Sequence, residues 1–167
     1  MIHPELDAEA LYQQLERELK SALTGTQRLA IVGIYSGGAW LAERLAKALD
    51  VSALGYIDVS FYRDDFASRG LKEEVRPSQI AFEIEGATIL LVDDVLYTGR
   101  TTRAAINTLF DYGRPAKIML AALVDRGGRE LPVAADFVAK TVSLPPEQQL
   151  VLQKADDGRL SLTVDHA

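Results

Sequence analysis

The stretch ILLVDDVLYTGRTT, Ile89 to Thr102, decides how this chain is read. Its four consecutive aliphatic residues, Ile89 to Val92, predict a strand buried on both faces, as in a parallel sheet. Asp93 and Asp94 then fall at or just past the carboxyl end of that strand, where neighbouring carboxylates pack poorly and bind well. Gly99 lets backbone approach a ligand closely, and the amides of Thr98 to Thr102, entering a helix, make an anion cradle. The acids repel a phosphate but accept hydrogen bonds from a pair of sugar hydroxyls, so the whole string describes a site for a phosphorylated ribose. Taken alone, an Asp-Asp pair equally suits a cap on the following helix, since carboxylates favour helix N-termini.

Outward from that stretch, strand and helix patterns alternate. Residues 4–24, PELDAEALYQQLERELKSALT, place Leu11, Leu15, Leu19 and Leu23 four apart with Pro4 near the start, which predicts an amphipathic helix. RLAIVGI (28–34) reads as a short buried strand. The turn Tyr35-Ser36-Gly37-Gly38 follows, then AWLAERLAKAL (39–49), a helix with Leu41, Leu45 and Leu49 on one face. In GYIDVSFY (55–62), Ile57, Val59 and Phe61 alternate with Tyr56, Asp58, Ser60 and Tyr62, predicting a strand with two unlike faces. Residues 63–79, RDDFASRGLKEEVRPSQ, are charged and lack an apolar period; a loop of that length suits a mobile lid.

IAFEI (80–84) predicts a short strand, with a turn at Glu85-Gly86. The helix after Gly99 runs to Tyr112 and stops at Gly113 and Pro115. KIMLAALV (117–124) is a buried strand, DRGGRELP (125–132) a glycine-rich loop, and ADFVAKTV (135–142) a further strand. Asp157-Gly158 between two alternating runs in LVLQKADDGRLSLTV (150–164) signals a hairpin. With no repeat and no linker, residues 1–167 are expected to form a single domain. Alternating strands and helices predict an α/β fold with a mainly parallel sheet, whose ligands bind beyond the strands' carboxyl ends. Tyr35–Gly38, Asp93–Thr102 and Asp125–Leu131 all follow predicted strands and are expected to converge on one edge.

Composition narrows the chemistry. A chain 48% apolar and 25% charged is that of an ordinary globular protein. No apolar run reaches the roughly 20 residues that span a bilayer, and no basic, hydrophobic leader opens the chain, so no membrane partner and a cytoplasmic location are expected. Without cysteine there is no disulfide, thiol nucleophile or Cys-based zinc site. The histidines, His3 and His166, lie at the two ends, which disfavours a Ser-His-Asp triad. Catalysis would rest on carboxylates, cations, hydroxyls, backbone amides or a substrate-borne metal. The net charge of −6 gives no general attraction for nucleic acid.

ILLVDDVLYTGRT (89–101) resembles the thirteen-residue 5-phosphoribosyl 1-pyrophosphate (PRPP) motif of type I phosphoribosyltransferases: four apolar residues, two acids, and a Thr-Gly phosphate loop. The resemblance implies the type I phosphoribosyltransferase fold, a mainly parallel twisted sheet flanked by helices, with a flexible hood loop and a C-terminal hairpin. It implies that Asp93 and Asp94 bind the ribose 2′ and 3′ hydroxyls and that Leu96, Tyr97, Thr98, Gly99, Arg100, Thr101 and Thr102 wrap the 5′-phosphate. Val95 belongs to the same PRPP- and UMP-binding run. Mg²⁺ would arrive coordinated by PRPP, with no metal site from the protein alone.

In 6-oxopurine members the residue before Thr-Gly is usually an aspartate that acts on the base; Tyr97 stands there in this chain. YIDVSFYRDD (56–65), VDDVLYTGRT and YGRPAKIMLAALVDRGGRELP (112–132) are similar instead to the branch of the family that regulates pyrimidine operons and also acts as a uracil phosphoribosyltransferase. That implies the reaction of uracil with PRPP to give UMP and diphosphate, with Asp93, Asp94 and Arg126 as catalytic residues. The backbone of Val124, Asp125, Arg126 and Gly127 would read the uracil edge, whose O2, N3–H and O4 alternate acceptor, donor, acceptor, and Leu150 would lie on the uracil side. Without the resemblance, Asp125 and Arg126 read as a loop ion pair. The branch further implies UMP or UTP as effector, an attenuator in nascent pyr mRNA as partner, and a homo-oligomer.

One loop departs from the family. Relatives usually carry Lys-Thr-Arg-Gly after the first strand, where this chain has Tyr35-Ser36-Gly37-Gly38. The resemblance assigns that loop to the pyrophosphate of PRPP, so two cations are missing from the leaving-group side. Amides of Ser36 to Gly38 still suit an anion nest, without the fixed charge. Losing one such donor costs about 3 kcal/mol of transition-state stabilisation. Arg69, Lys72 or Arg76 from residues 63–79 would compensate on closing over the site; as solvated loop charges they would not. Three readings follow: a working uracil phosphoribosyltransferase, a catalytically weak or inactive nucleotide sensor, and a partner-binding protein without ligand, against which the complete acid and Thr-Gly pattern argues. RNA binding requires clustered cations, for which Arg114, Lys117, Arg126, Arg129 and Lys140 are the candidates, with Gly128 replacing a usual histidine.

Overall fold

The computed structural model describes residues 6–59 and 78–166. Helix α1 (Ala8–Leu23) is capped by Asp7, whose side chain accepts from the Ala10 amide at 3.2 Å. All four leucines of the predicted stripe, Leu11, Leu15, Leu19 and Leu23, are buried. Strand β1 (Leu29–Ile34) leads through residues 35 and 36 into α2 (Gly37–Ala48), and β2 (Leu54–Ile57) follows. Then come β3 (Thr88–Leu96), α3 (Arg100–Tyr112), β4 (Lys117–Asp125), β5 (Phe137–Thr141), β6 (Gln148–Lys154) and β7 (Leu160–His166).

The first five strands form one sheet of order β2-β1-β3-β4-β5, every neighbour pair parallel. Period-two alternation sorts its buried side chains into two cores. Ile31, Leu90, Val92, Met119, Ala121 and Leu123 face α1, α2 and the hairpin leucines Leu150, Leu152, Leu160 and Leu162. Ala30, Val32, Ile89, Leu91, Leu120 and Ala122 face Ala104, Ala105 and Leu109 of α3. Strands β6 and β7 pair antiparallel around the turn at Asp157-Gly158, where Gly158 takes φ +90°. Glu9 of α1 ties this hairpin down: it pairs with Arg44 at 2.8 Å and accepts from the Leu160 amide, while Arg44 donates to the Gly158 carbonyl.

Several expectations change. Strand β3 runs on to Leu96, so Asp93 and Asp94 lie within it, Asp93 opposite Ala122 of β4. Its pairing with β1 ends at Val92, opposite Gly33, so the acids begin where β3 outruns its other neighbour. The strand expected over 55–62 ends at Ile57; residues 60–62 lie outside the described residues. IAFEI (80–84) forms no strand: Ile84 is buried and Ile80 and Phe82 pack on the α3-side core, while just before it Gln79 makes an isolated antiparallel bridge to Tyr56. Pro4 and residues 63–77 of the expected lid lie outside the described residues. Among the described residues no helix is long and apolar enough to cross a membrane.

Candidate active site

The strand order reverses between β1 and β3: from β1 the chain crosses to β2 on one side, and from β3 to β4 on the other. The two outgoing connections diverge there and leave a crevice at the carboxyl ends, the usual ligand position in open α/β sheets. The first loop stands at the end of β1, the two acids and the Thr-Gly turn at the end of β3, and Asp125 to Leu131 at the end of β4. The convergence on one edge therefore follows from parallel strand direction.

Asp93 is buried, 6% exposed, and its Oδ1 accepts from the Asp94 amide at 2.9 Å. Asp94 is partly exposed; its Oδ1 accepts from the Val95 amide at 2.7 Å, which leaves Oδ2 turned toward α2. There Oδ2 fills the space that a Cβ on Gly37 would need. A Cβ on Gly38 would strike the Val92 carbonyl, and one on Gly33 the Gly38 carbonyl and Ala39, so the start of α2 rests backbone to backbone on β1 and β3.

After Leu96 the chain turns through Tyr97 and Thr98 into Gly99, which caps α3 at φ +94°. The Thr98 hydroxyl accepts from the Arg100 amide at 3.2 Å, an arrangement that faces backbone N–H groups into the turn. Thr102, in the first turn of α3, is 1% exposed, and its hydroxyl has no hydrogen-bond partner. Arg100 points away, paired with Glu130 at 2.7 Å. The Thr98 carbonyl accepts from the Glu130 and Leu131 amides, stitching the β4 loop to this turn.

The β4 loop pairs its charges differently from the ion pair expected of Asp125 and Arg126. Asp125 pairs with Arg129 at 2.6 Å, not with Arg126, and accepts from the Gly127 amide. Burial raises the Asp125 pKa, but the Arg129 and Gly127 hydrogen bonds outweigh it and hold the carboxyl below its ordinary range. Arg129 also donates to the Val133 and Tyr97 carbonyls. Arg126, expected as a catalytic cation, is 6% exposed and donates to the Gln148, Pro145 and Leu144 carbonyls. Its guanidinium stacks on Tyr97, 3.9 Å from the ring centroid. The side chains of Val124, whose backbone was expected to read uracil, and of Leu150, expected on the uracil side, both pack in the core under α1 and α2. Of the five cations named for a basic face, then, Arg126 is buried and Arg129 is bracketed within its own loop.

In the first loop the Tyr35–Ser36 peptide is cis, and the Tyr35 amide donates to the Ile57 carbonyl. The Tyr35 ring lies 5.4 Å from that of Tyr56, whose hydroxyl donates to Glu43. Burial and then Glu43 push the Tyr56 pKa up to about 12, so it is a neutral donor in the physiological range. Sequence reasoning gave Tyr56 no role beyond one face of a strand, and named Arg129 only as a candidate cation for a basic face. Among the described residues no cluster of three or more His, Cys, Asp or Glu side chains suits a metal ion.

A parallel sheet of order 2-1-3-4-5 with two acids and a Thr-Gly helix cap at its switch point is the type I phosphoribosyltransferase class. The Trypanosoma cruzi hypoxanthine phosphoribosyltransferase, solved as a mutant in a ternary substrates complex, superposes with a TM-score of 0.64 at 21% identity, covering 93% of this chain and 90% of that one. The Staphylococcus aureus hypoxanthine phosphoribosyltransferase gives 0.62 at 26% identity, covering 83% and 76%. Residues 3–148 match the phosphoribosyl transferase domain. The bifunctional protein PyrR of Ralstonia nicotianae is 49% identical over 160 residues, 95% of this chain and 92% of its own. That of Nitrosococcus oceani is 46% identical over 94% and 92%. The chain belongs to the phosphoribosyltransferase family and, within it, to the bifunctional PyrR proteins.

Proposed function

We propose that this protein transfers a phosphoribosyl group from PRPP to uracil, forming UMP and diphosphate, and that it regulates pyrimidine biosynthesis genes through uridine nucleotides. The observation that carries the reading is the run from Asp93 to Thr102 at the switch point: two carboxylates fixed by backbone amides, then a helix cap holding a buried, unpartnered Thr102 hydroxyl. Asp93 and Asp94 hold the ribose 2′ and 3′ hydroxyls, and the backbone amides of Leu96 to Thr102, with the threonine hydroxyls, hold the 5′-phosphate; the Tyr97 ring, seated against Arg126, takes no part in that. Mg²⁺ comes with PRPP as part of the substrate; among the described residues no third carboxylate, His or Cys joins the pair, which fits a metal that already carries phosphate oxygens.

In the reaction, uracil N1 attacks C1′ as the bond from C1′ to the diphosphate oxygen breaks, and the N1 proton is lost. Positioning and electrostatics supply the rate, because no protein nucleophile is needed. The test is UMP formation from uracil, PRPP and Mg²⁺, with Asp93→Asn beside the wild type: turnover that vanishes in the variant supports the transferase. A wild type that binds UMP without turnover supports the second reading, a nucleotide sensor. The first loop favours that alternative, since its four residues, Tyr35 to Gly38, carry no cation for the leaving group. Control through an attenuator in pyr mRNA is the regulatory half of the proposal. RNA affinity that falls steeply with salt supports it, and none at low salt removes it.

A further inference from the structure

We infer that Arg126 is a positioning residue that fixes the base side of the site, an inference that rests on the phosphoribosyltransferase reading above. The side chain joins three parts of the chain. Nη1 donates to the Gln148 carbonyl at 2.8 Å, and Nη2 to those of Pro145 at 3.2 Å and Leu144 at 3.5 Å. The plane of the guanidinium covers Tyr97, within the turn between the acids and α3. The backbone amide of Arg126 donates to the Leu96 carbonyl at 3.0 Å, so main chain and side chain both tie β4 to the end of β3.

Tyr97 is held from other directions as well. A Cβ on Gly128 would run into its ring, and its carbonyl accepts from Arg129 at 2.7 Å. The ring therefore has a single seat, with Arg126 as one wall. The turn 144–148 opens β6; Leu144 packs on the core and the Gln148 amide donates to the Pro145 carbonyl, and the Arg126 bonds add the polar link from its carbonyls to β4. A buried cation with an unpaired Nε is an expensive way to fill space, because apolar residues of similar volume pack without the desolvation cost. What an apolar residue lacks is the fork that aligns several carbonyls at once while presenting a flat face to an aromatic ring.

Arg126 thus carries no chemistry itself. It registers Tyr97 and the 144–148 turn against each other on the β4 side of the ribose, which the proposed reading gives to the nucleobase, while the phosphate is held by amides and threonine hydroxyls on the α3 side. Its loss is therefore expected to weaken recognition of the base and to spare recognition of the ribose 5-phosphate.

The experiment compares binding of UMP and of ribose 5-phosphate by calorimetry for wild type, Arg126→Lys, Arg126→Met and Tyr97→Leu. Arg126→Lys and Tyr97→Leu are expected to weaken UMP tenfold or more while ribose 5-phosphate stays within threefold. Hydrogen exchange of amides 143–150 is expected to speed up in Arg126→Lys. In turnover the same variants raise KM for uracil more than KM for PRPP. Equal loss for both ligands, or unchanged UMP affinity, overturns the positioning role. Should Arg126→Met fail to fold, Arg126→Lys and Tyr97→Leu still decide. Wild type that binds neither ligand overturns the phosphoribosyltransferase reading, and the inference falls with it.

Discussion

Asp94 and Gly37 share one space: the Asp94 Oδ2 lies where a Cβ on residue 37 would project. The carboxylate can take this place because residue 37 is glycine, where the family resemblance leads one to expect arginine beside the same acid pair. An arginine at 37, the usual family residue, has a Cβ and needs the carboxylate elsewhere. Gly37→Arg is therefore expected not to restore a leaving-group cation but to displace Asp94. Gly37→Ala isolates the effect, because it adds the Cβ alone. A misplacement near 1 Å costs about a hundredfold in a positioned reaction, so UMP formation in Gly37→Ala is expected to fall by roughly that factor. The check is kcat/KM for PRPP, together with a melting curve. Activity equal to wild type in Gly37→Arg would show that Asp94 has another productive position.

Gly128 stands in the same relation to Tyr97. It takes φ +76°, and a Cβ there would meet the ring, Cδ1 lying 2.9 Å away. Gly128→Ala is expected to destabilise the fold by about 1 kcal/mol from the backbone conformation alone, as for any side chain forced into that region. Displacing Tyr97 from the face of Arg126 adds to this. Chemical denaturation measures the sum. Adding Tyr97→Ala should relieve the second part and leave the first, so non-additivity of the pair reads out the contact.

How far the sequence reaches is clear from particular residues. The leucine stripe of α1, the stop at Gly113 and the Asp157-Gly158 hairpin follow local rules and stand where those rules put them. IAFEI failed because alternation reports burial, not pairing: Ile84 is buried, yet its carbonyl accepts from the Ala87 amide in a local turn and the segment forms no strand. The two acids were legible because an apolar strand rarely ends in carboxylates without a reason. The contacts of Arg126 were not, because they lie on carbonyls 18 to 22 residues further along the chain. A cation beside a glycine loop reads as a ligand contact whichever way it turns, and only the placing of the 144–148 turn beside the end of β4 decides the direction.

Acid stability should track Glu9. Hydrogen bonding to Arg44 is the main cause that holds its carboxyl below the ordinary 4.5, aided by the Leu160 amide and opposed by burial. A depressed folded pKa contributes stability that is present above the unfolded value and is lost as pH falls through the folded one. Wild-type stability is thus expected to decline as pH drops below about 4.5, with Asp125 adding in the same direction. Glu9→Gln should cost about 2 kcal/mol at neutral pH, since it weakens a charge-assisted bond across α1, α2 and the hairpin, and should flatten that decline. Urea melts at pH 7 and pH 4 measure both. An unchanged slope would move the acid sensitivity to other carboxylates.

Thr102 separates folding from binding. Its hydroxyl is buried without a partner, so in the free protein it contributes desolvation cost and no hydrogen bond. Thr102→Val keeps the shape and removes that cost, so stability is expected to stay level or rise by about 1 kcal/mol. Affinity for UMP should move the opposite way: if the hydroxyl donates to the 5′-phosphate, its removal costs about 1.5–3 kcal/mol, or roughly tenfold or more in Kd. Ribose 5-phosphate should lose the same factor, and uracil alone none, because the base lies beyond its reach. The opposite pattern, a loss of stability with unchanged affinity, would mean that Thr102 serves the packing of α3 and that the phosphate is held by backbone amides alone.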